Sequence, residues 1–142
     1  MSPLVPAAQT SRTQFGLTLL RLVVGAAFVM HGSQKLFEMG IPAVTGGFTK
    51  WHVPLAAATG PLVTLLEFFG GLALIAGLLT RLVALGFVIE MLGAIFIVHI
   101  RQGFFPPRGF ELPLLFCAAS AMLMLGGGGL ASVDAVLTRR RS

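Results

Sequence analysis

Four apolar segments, each about as long as a lipid bilayer is thick, constrain this chain more than any other feature of its sequence. They cover residues 15–36, 55–79, 82–100 and 112–130. A helix needs roughly 20 apolar residues to cross a hydrocarbon core about 30 Å thick, at about 1.5 Å of rise per residue. The pattern predicts an all-α membrane protein, with four transmembrane helices in an antiparallel bundle and a single domain over residues 1–142.

The composition excludes a water-facing globule. Hydrophobic residues make up 56% of the chain and charged residues 11%, whereas soluble proteins average roughly 25% charged residues. The net charge of +5 does not indicate nucleic acid, because the one basic run, Arg139 to Arg141, has no aromatic residues beside it for stacking on bases. The lipid bilayer is therefore the first partner that the sequence predicts.

The connections between the segments predict the topology. Only Thr80 and Arg81 separate the second and third segments, so those two helices must form a hairpin. The first segment is too long for a secretory leader and contains Arg21, which indicates a retained helix. An even number of spans places both termini on one side, and the arginine-rich tail predicts that this side is cytoplasmic.

The tail over residues 131–142 has the pattern of a short interfacial helix. Ser132 is placed as its N-cap and Asp134 lies in its first turn, where a carboxylate is favourable. Docking of a partner by this tail is the alternative interpretation. Glycines inside the long helices are interpreted as packing positions that let backbones approach in lipid; they are Gly25, Gly32, Gly70, Gly71, Gly77, Gly86 and Gly93.

Three ionisable residues lie within the apolar segments, where each is costly unless it is paired or hydrated. Counting helical rise from the expected helix ends places Arg21, Glu67 and Glu90 in one layer, together with Ser120. One arginine cannot neutralise two carboxylates, so we expect one glutamate to hold a proton or to be stabilised by hydroxyls and water. The trio is either a proton-handling catalytic site or a structural ion pair that fixes helix order.

A second polar layer is expected near the outer face, formed by His31, Lys35, His99 and Glu111. Its best use is to bind a quinone head group through His31, Lys35 and a carboxylate. Haem between His31 and His99 is disfavoured, because His99 lies about 180° around its helix from Glu90. Cys117 is the only cysteine, and the chain offers no metal-ligand set, so no metal site is predicted.

Short motifs along nearly the whole chain resemble the DoxX family of small bacterial membrane proteins. The matching segments are Leu20-Arg21-Leu22, His31-Gly32-Ser33-Gln34-Lys35-Leu36, Glu67-Phe68-Phe69-Gly70-Gly71, Gly77-Leu78-Leu79-Thr80-Arg81, Glu90-Met91, Gly127-Gly128-Gly129 and Ser132-Val133-Asp134. Ala131 departs from the family pattern, which has an aromatic or apolar residue before the Ser-x-Asp. The resemblance implies a four-helix domain in the bacterial cytoplasmic membrane that is tied to redox metabolism.

The resemblance implies two functions. One is a subunit of a quinone-linked oxidoreductase that works with a soluble or membrane redox partner. The other is a non-catalytic membrane anchor or assembly factor for an oxidant-defence complex. The residues of this chain that match the family's motif positions are Arg21, His31, Lys35, Glu67, Glu90 and Asp134. Transport is disfavoured because the chain shows no repeats or broken helices, although a homo-oligomer is compatible with the sequence.

Overall fold

The computed structural model describes residues 7–141, with side chains from residue 10 to residue 140. Residues 1–6 and Ser142, which the sequence analysis included in the domain and its tail, lie outside the described residues. Over the described range the chain forms helices and no strands. The helices are α1 (Ala7–Ser33, continued by a π-helical turn at Gln34–Met39), α2 (Ile41–Lys50), α3 (Ala56–Ala76), α4 (Thr80–Gln102), α5 (Glu111–Gly126) and α6 (Val133–Arg141).

Three of these helices are long and apolar enough to cross a membrane. They occupy Thr10–Met39, Ala56–Ala76 and Thr80–Gln102. Helix α5, predicted as the fourth span, is apolar but has 16 residues, which is about 24 Å of rise. The prediction of an all-α membrane protein is thus confirmed with three candidate spans.

The outside of the long helices is apolar, which is unlike the surface of a water-soluble protein. Large apolar side chains such as Leu19, Val23 and Met30 point outward on α1. Arg21 and Ser120, in contrast, are buried. Lipid favours this arrangement, because exposing apolar side chains to lipid carries no free-energy penalty, whereas polar side chains are more stable inside the protein.

Helices α1 and α3 touch through their backbones. A Cβ placed on Gly25 would lie 2.9 Å from the carbonyl oxygen of Gly71, and one on Gly32 would overlap the backbone of Phe68. The two helices run in opposite directions at this contact, because the later position on α1 faces the earlier one on α3. The packing role predicted for these glycines is confirmed, but the one predicted for Gly93 is wrong, because no atom lies within 4 Å of a Cβ there.

The turn between α3 and α4 occupies residues 77–79. Gly77 has a φ of +70°, and the amide of Leu78 donates to the carbonyl of Ala73 at 2.9 Å, which is a glycine-terminated helix end. The second helix therefore ends at Ala76 and not at residue 79 as predicted. The short connection expected from the sequence is present.

Two other boundaries differ from the prediction. Helix α5 ends at Gly126, because Gly127 adopts a φ of +81°, whereas the prediction continued to residue 130. Helix α2 lies within the stretch predicted as a loop over residues 37–54. Pro42 stands in the first turn of α2, where proline is well tolerated because its missing amide would have no helical partner.

The core is made of apolar side chains from each long helix and from α5. The rings of Phe28 on α1 and Phe87 on α4 stack with centroids 3.6 Å apart. Leu74 on α3 and Leu123 on α5 are fully buried beside them. These apolar side chains separate two groups of polar residues at opposite ends of the helices.

Candidate functional site

A short ion pair between α1 and α3 is the centre of the candidate site. The Nζ of Lys35 donates to Oε2 of Glu67 at 2.6 Å. The side chain of Lys35 is 21% exposed and that of Glu67 is 6% exposed. The lysine therefore reaches from the protein surface inward to a nearly buried carboxylate.

The backbone around the ion pair departs from regular α-helix. Lys35 lies in the π-helical turn Gln34–Met39, and Glu67 lies in a second such turn at Leu66–Gly70. A third, Ala94–His99, follows on α4. Turns of this type widen a helix locally and redirect its side chains, and they are frequent at functional sites.

Gly32 brings the two helices close enough for the pair to form. A Cβ at this position would overlap the backbone nitrogen of Phe68 and lie 2.8 Å from the backbone carbon of Glu67. Lys35 is almost one helical turn further along α1, so its side chain can reach back to the carboxylate. The spacing of Gly32 and Lys35 is thus what positions the lysine over Glu67.

Glu90 of α4 completes the group. Its carboxyl lies close to that of Glu67, while its Oε2 is buried and has no hydrogen-bond partner. Glu90 therefore places a second carboxyl beside the ion pair. We call Lys35, Glu67 and Glu90 the carboxyl cluster.

Aromatic rings and His31 surround the carboxyl cluster. Phe68, the residue after Glu67, packs edge-to-face against Phe37 with centroids 5.5 Å apart. His31 is exposed and meets the ring of Phe116 edge-on at 6.3 Å. His31 therefore stands at the rim of the site, one turn of α1 before Lys35.

The other two residues predicted for the outer layer lie further toward the loops. The Nδ1 of His99 is 2.6 Å from the carbonyl oxygen of Arg108, in the connection between α4 and α5. Glu111 begins α5, five residues before Phe116, which corresponds to about 7 Å of rise. Lys35 pairs with Glu67 and not with either of these residues; that His31, Lys35, His99 and Glu111 form one layer stays a prediction.

Arg21 is also separated from the carboxylates that it was expected to neutralise. It precedes Gly32 by 11 residues on α1, which is roughly 16 Å of rise. Its Nη2 donates to the carbonyl oxygen of Ala131 at 2.7 Å, and the guanidinium is attracted by the nearby Asp134. The predicted layer of Arg21 with Glu67 and Glu90 is wrong, because Arg21 lies level with Gly77, ten residues beyond Glu67 in the sequence.

Arg21 belongs to a second polar group, which joins four parts of the chain. The carboxylate of Asp134 accepts from the amides of Leu79 and Thr80 at 2.8 and 2.9 Å. The amide of Asp134 donates to the carbonyl of Gly77 at 3.0 Å. We call Arg21, Gly77, Ser132 and Asp134 the Asp134 clasp.

Ser132 caps α6 as the sequence predicted, because its Oγ accepts from the amide of Ala135 at 3.1 Å. The role of Asp134 at the start of α4 was not predicted. The one sequence feature that pointed to Asp134 was its place in the Ser132-Val133-Asp134 motif. Among the described residues, no group of three His, Cys, Asp or Glu side chains could hold a metal ion.

Long apolar helices, an apolar exterior and several buried polar side chains together define an integral membrane protein of the small helical class. The chain belongs to the DoxX family, whose sequence model matches residues 16–100. This range contains the whole carboxyl cluster and Arg21, whereas Asp134 lies beyond it.

Bacterial relatives match most of the chain. It is 34% identical to an uncharacterised protein of Haemophilus influenzae, over 83% of this chain and 87% of the relative. It is 29% identical to the protein named "Putative oxidoreductase CatD" of Bacillus subtilis, over 85% and 86%. An uncharacterised membrane protein of Mycobacterium tuberculosis is 30% identical, over 85% and 80%. No solved structure matches the chain.

Proposed function

We propose that this chain is the integral membrane subunit of a quinone-linked oxidoreductase system, and that the carboxyl cluster holds the quinone head group. The observation that carries the proposal is the 2.6 Å pairing of Lys35 with Glu67 beside Glu90, whose buried Oε2 has no partner. The printed name of the Bacillus subtilis relative supports an oxidoreductase function.

The residues of the cluster fit a quinone head group. Its two carbonyl oxygens accept hydrogen bonds, and its ring is flat and apolar. Lys35 donates hydrogen bonds, and a protonated carboxyl of Glu90 can donate as well. The neighbouring rings of Phe37 and Phe68 supply apolar surface. Because Lys35 is partly exposed, a ligand dissolved in the bilayer can reach it from the side.

A bound quinone would supply two-electron, two-proton chemistry. A protonated Glu90 would give one proton to a carbonyl oxygen, as a positioned general acid, and the second proton would come from water at the exposed side of Lys35. Lys35 would balance the negative charge that remains on the two carboxyls. His31 would contact the ligand at the rim, and His99 and Glu111 are left out of the site because they lie nearer the loops.

The electrons would come from a separate redox protein in the cytoplasm or the membrane. We propose that α5 is the fourth span of an antiparallel bundle in the bacterial cytoplasmic membrane. The end that carries the Asp134 clasp also carries Arg12, Arg81, Arg139 and Arg140, which supports a cytoplasmic location for both termini. The carboxyl cluster would then lie toward the outer leaflet.

Organic extraction of the purified protein, followed by titration with added quinone, tests the proposal. We expect bound quinone in the wild type. Lys35→Gln should bind it about tenfold more weakly, because one charge-assisted hydrogen bond is lost. Glu111→Gln is the matched control and should bind as the wild type does. Absence of quinone from the extract, with added quinone binding equally to Lys35→Gln, would refute the proposal.

The membrane-anchor function is the second candidate, and α6 favours it. Val136 and Leu137 are exposed on α6, and the helix continues into arginines. An anchor would capture a soluble enzyme through this surface without using the carboxyl cluster. Glu67→Gln would then keep full pathway activity, whereas deletion of residues 135–142 would release the enzyme from the membrane.

A further inference from the structure

A cleft of about 410 Å³ opens at the end of the protein that carries the Asp134 clasp. It lies between the start of α4, the glycine-rich connection after α5, and α6. Its wall includes Thr80, Arg81, Gly127, Gly128, Ser132 and Thr138. We call it the glycine cleft. Its Thr80 precedes Glu90 of the carboxyl cluster by ten residues on α4, which is about 15 Å of rise, and the cleft plays no part in the proposed redox function.

A hydroxyl in the glycine cleft lacks a partner. Thr80 is fully buried and its Oγ1 makes no hydrogen bond, although its amide is held by Asp134. A Cβ on Gly128 would lie 2.8 Å from this oxygen. Gly128 therefore packs directly against the hydroxyl, with no room for a side chain between them. A buried hydroxyl left without a partner is unfavourable unless a ligand accepts from it.

A guanidinium stands at the same place. The Nε of Arg81 would lie 3.5 Å from a Cβ on Gly127, so the loop backbone and the cation are neighbours. Gly127 and Gly129 have φ values of +81° and +79°, a conformation that favours glycine. The loop carries no side chain at these positions, so an anion in the cleft can approach Arg81, with Thr80 in the wall beside it.

The charge around the glycine cleft favours an anion. Asp134 is the acidic side chain in its wall, and both carboxylate oxygens already accept from backbone amides. Arg12, Arg139 and Arg140 lie at the same end of the molecule. The surrounding potential is therefore positive, which attracts phosphate groups.

The apolar surface beside the cleft indicates where such a phosphate comes from. Leu79 and Leu82 line the cleft and are 57% and 64% exposed. Acyl chains can lie along these leucines while the head group enters between Arg81 and Thr80. Basic pockets between membrane helices at the cytoplasmic surface bind anionic lipids in this way.

We propose that the glycine cleft is a binding site for the phosphate of an anionic phospholipid, held by Arg81 and by the hydroxyl of Thr80. Native mass spectrometry of the full chain with phosphatidylglycerol, phosphatidylcholine or inorganic phosphate tests this. The wild type should retain phosphatidylglycerol in preference to phosphatidylcholine. Arg81→Gln should weaken that binding about tenfold, because it removes a charge-assisted hydrogen bond.

Two further variants sharpen the result. Thr80→Val keeps the shape of the side chain and should weaken phosphatidylglycerol binding about threefold without lowering the melting temperature in lipid-free detergent. Arg101→Gln, at the other end of α4, should bind as the wild type does. Equal retention by Arg81→Gln and the wild type would overturn the proposal. Displacement of the lipid by equimolar inorganic phosphate would also overturn it, because the occupant would then be a free anion.

Discussion

The carboxyl cluster and the Asp134 clasp are both buried polar groups, but they are built on opposite plans. In the clasp, the acid and the base each bind backbone: Asp134 accepts from two amides and Arg21 donates to the carbonyl of Ala131. In the cluster, Lys35 pairs with Glu67, and Oε2 of the neighbouring Glu90 has no hydrogen-bond partner. The partners of the clasp span the sequence, whereas those of the cluster lie on α1, α3 and α4.

This difference indicates a division of labour. Hydrogen bonds that satisfy backbone groups at helix ends fix where the helices begin and how they meet. A buried carboxyl with an open lone pair contributes little to stability and stays available for a ligand or a proton. We therefore expect substitutions in the clasp to change folding and substitutions in the cluster to change binding.

The largest effect is expected for Arg21→Ala. The change removes a large side chain that is 1% exposed and its hydrogen bond to Ala131, and it leaves a cavity, so the free energy of unfolding should fall by about 3–5 kcal/mol. Unfolding in mixed micelles, followed by circular dichroism, measures this. Arg101→Ala, at an exposed arginine, is the control and should stay within about 0.5 kcal/mol. If Arg21→Ala is as stable as the wild type, the clasp does not have a structural role.

A smaller loss is expected for Gly32→Ala, between the two regions compared. The new Cβ would overlap the backbone of Phe68, so α1 and α3 must separate, at a cost of about 1–3 kcal/mol. Gly93→Ala is the matched control, because its Cβ would meet no atom within 4 Å, and it should be neutral or stabilising. The same unfolding assay compares them, and equal stabilities would contradict the close approach of α1 and α3.

Lys35→Met tests the ion pair itself. Removing the only cation of the cluster should cost about 1–2 kcal/mol, less than a fully buried pair because Lys35 is partly exposed. Adding Glu67→Gln should recover part of the loss, with a coupling energy of about 1 kcal/mol. A double-mutant cycle measures the coupling, and simple additivity of the two losses would show that the pair is not formed in the membrane.

Glu90→Gln should have the smallest effect on stability. The amide has nearly the shape of a protonated carboxyl, and the buried Oε2 that it replaces has no partner to lose. We expect a change within about 0.5 kcal/mol in thermal unfolding. A loss as large as that of Arg21→Ala would mean that Glu90 is a structural residue, and the division between the two regions would not hold.

The sequence predicts where the long helices lie better than it predicts which residues contact one another. The segment predicted at residues 82–100 is α4 at Thr80–Gln102, because long apolar runs have no alternative in lipid. Ser132 was found as a cap because capping is local. Helix α2 was missed because Pro42 and the glycines after it are typical of loops when their neighbours in space are unknown.

The charged residues were identified correctly as buried, but their pairing was not. The cation that pairs with Glu67 is decided by the length of its side chain and by the register in which α1 packs against α3. Lys35 reaches back about one turn to Glu67, whereas Arg21 lies level with Gly77. Glycine contacts such as Gly32 with Phe68 set that level, and a single sequence does not contain the register of two packed helices.

Quinone bound per folded protein, measured for Glu90→Gln and Asp134→Asn side by side, tests the division of labour most directly. Quinone in the organic extract is divided by the folded fraction from circular dichroism. The account predicts that Glu90→Gln is as folded as the wild type but retains little quinone. It predicts that Asp134→Asn is less folded, yet each folded molecule binds quinone normally. Normal quinone retention by Glu90→Gln, or loss of quinone from folded Asp134→Asn, would contradict the account.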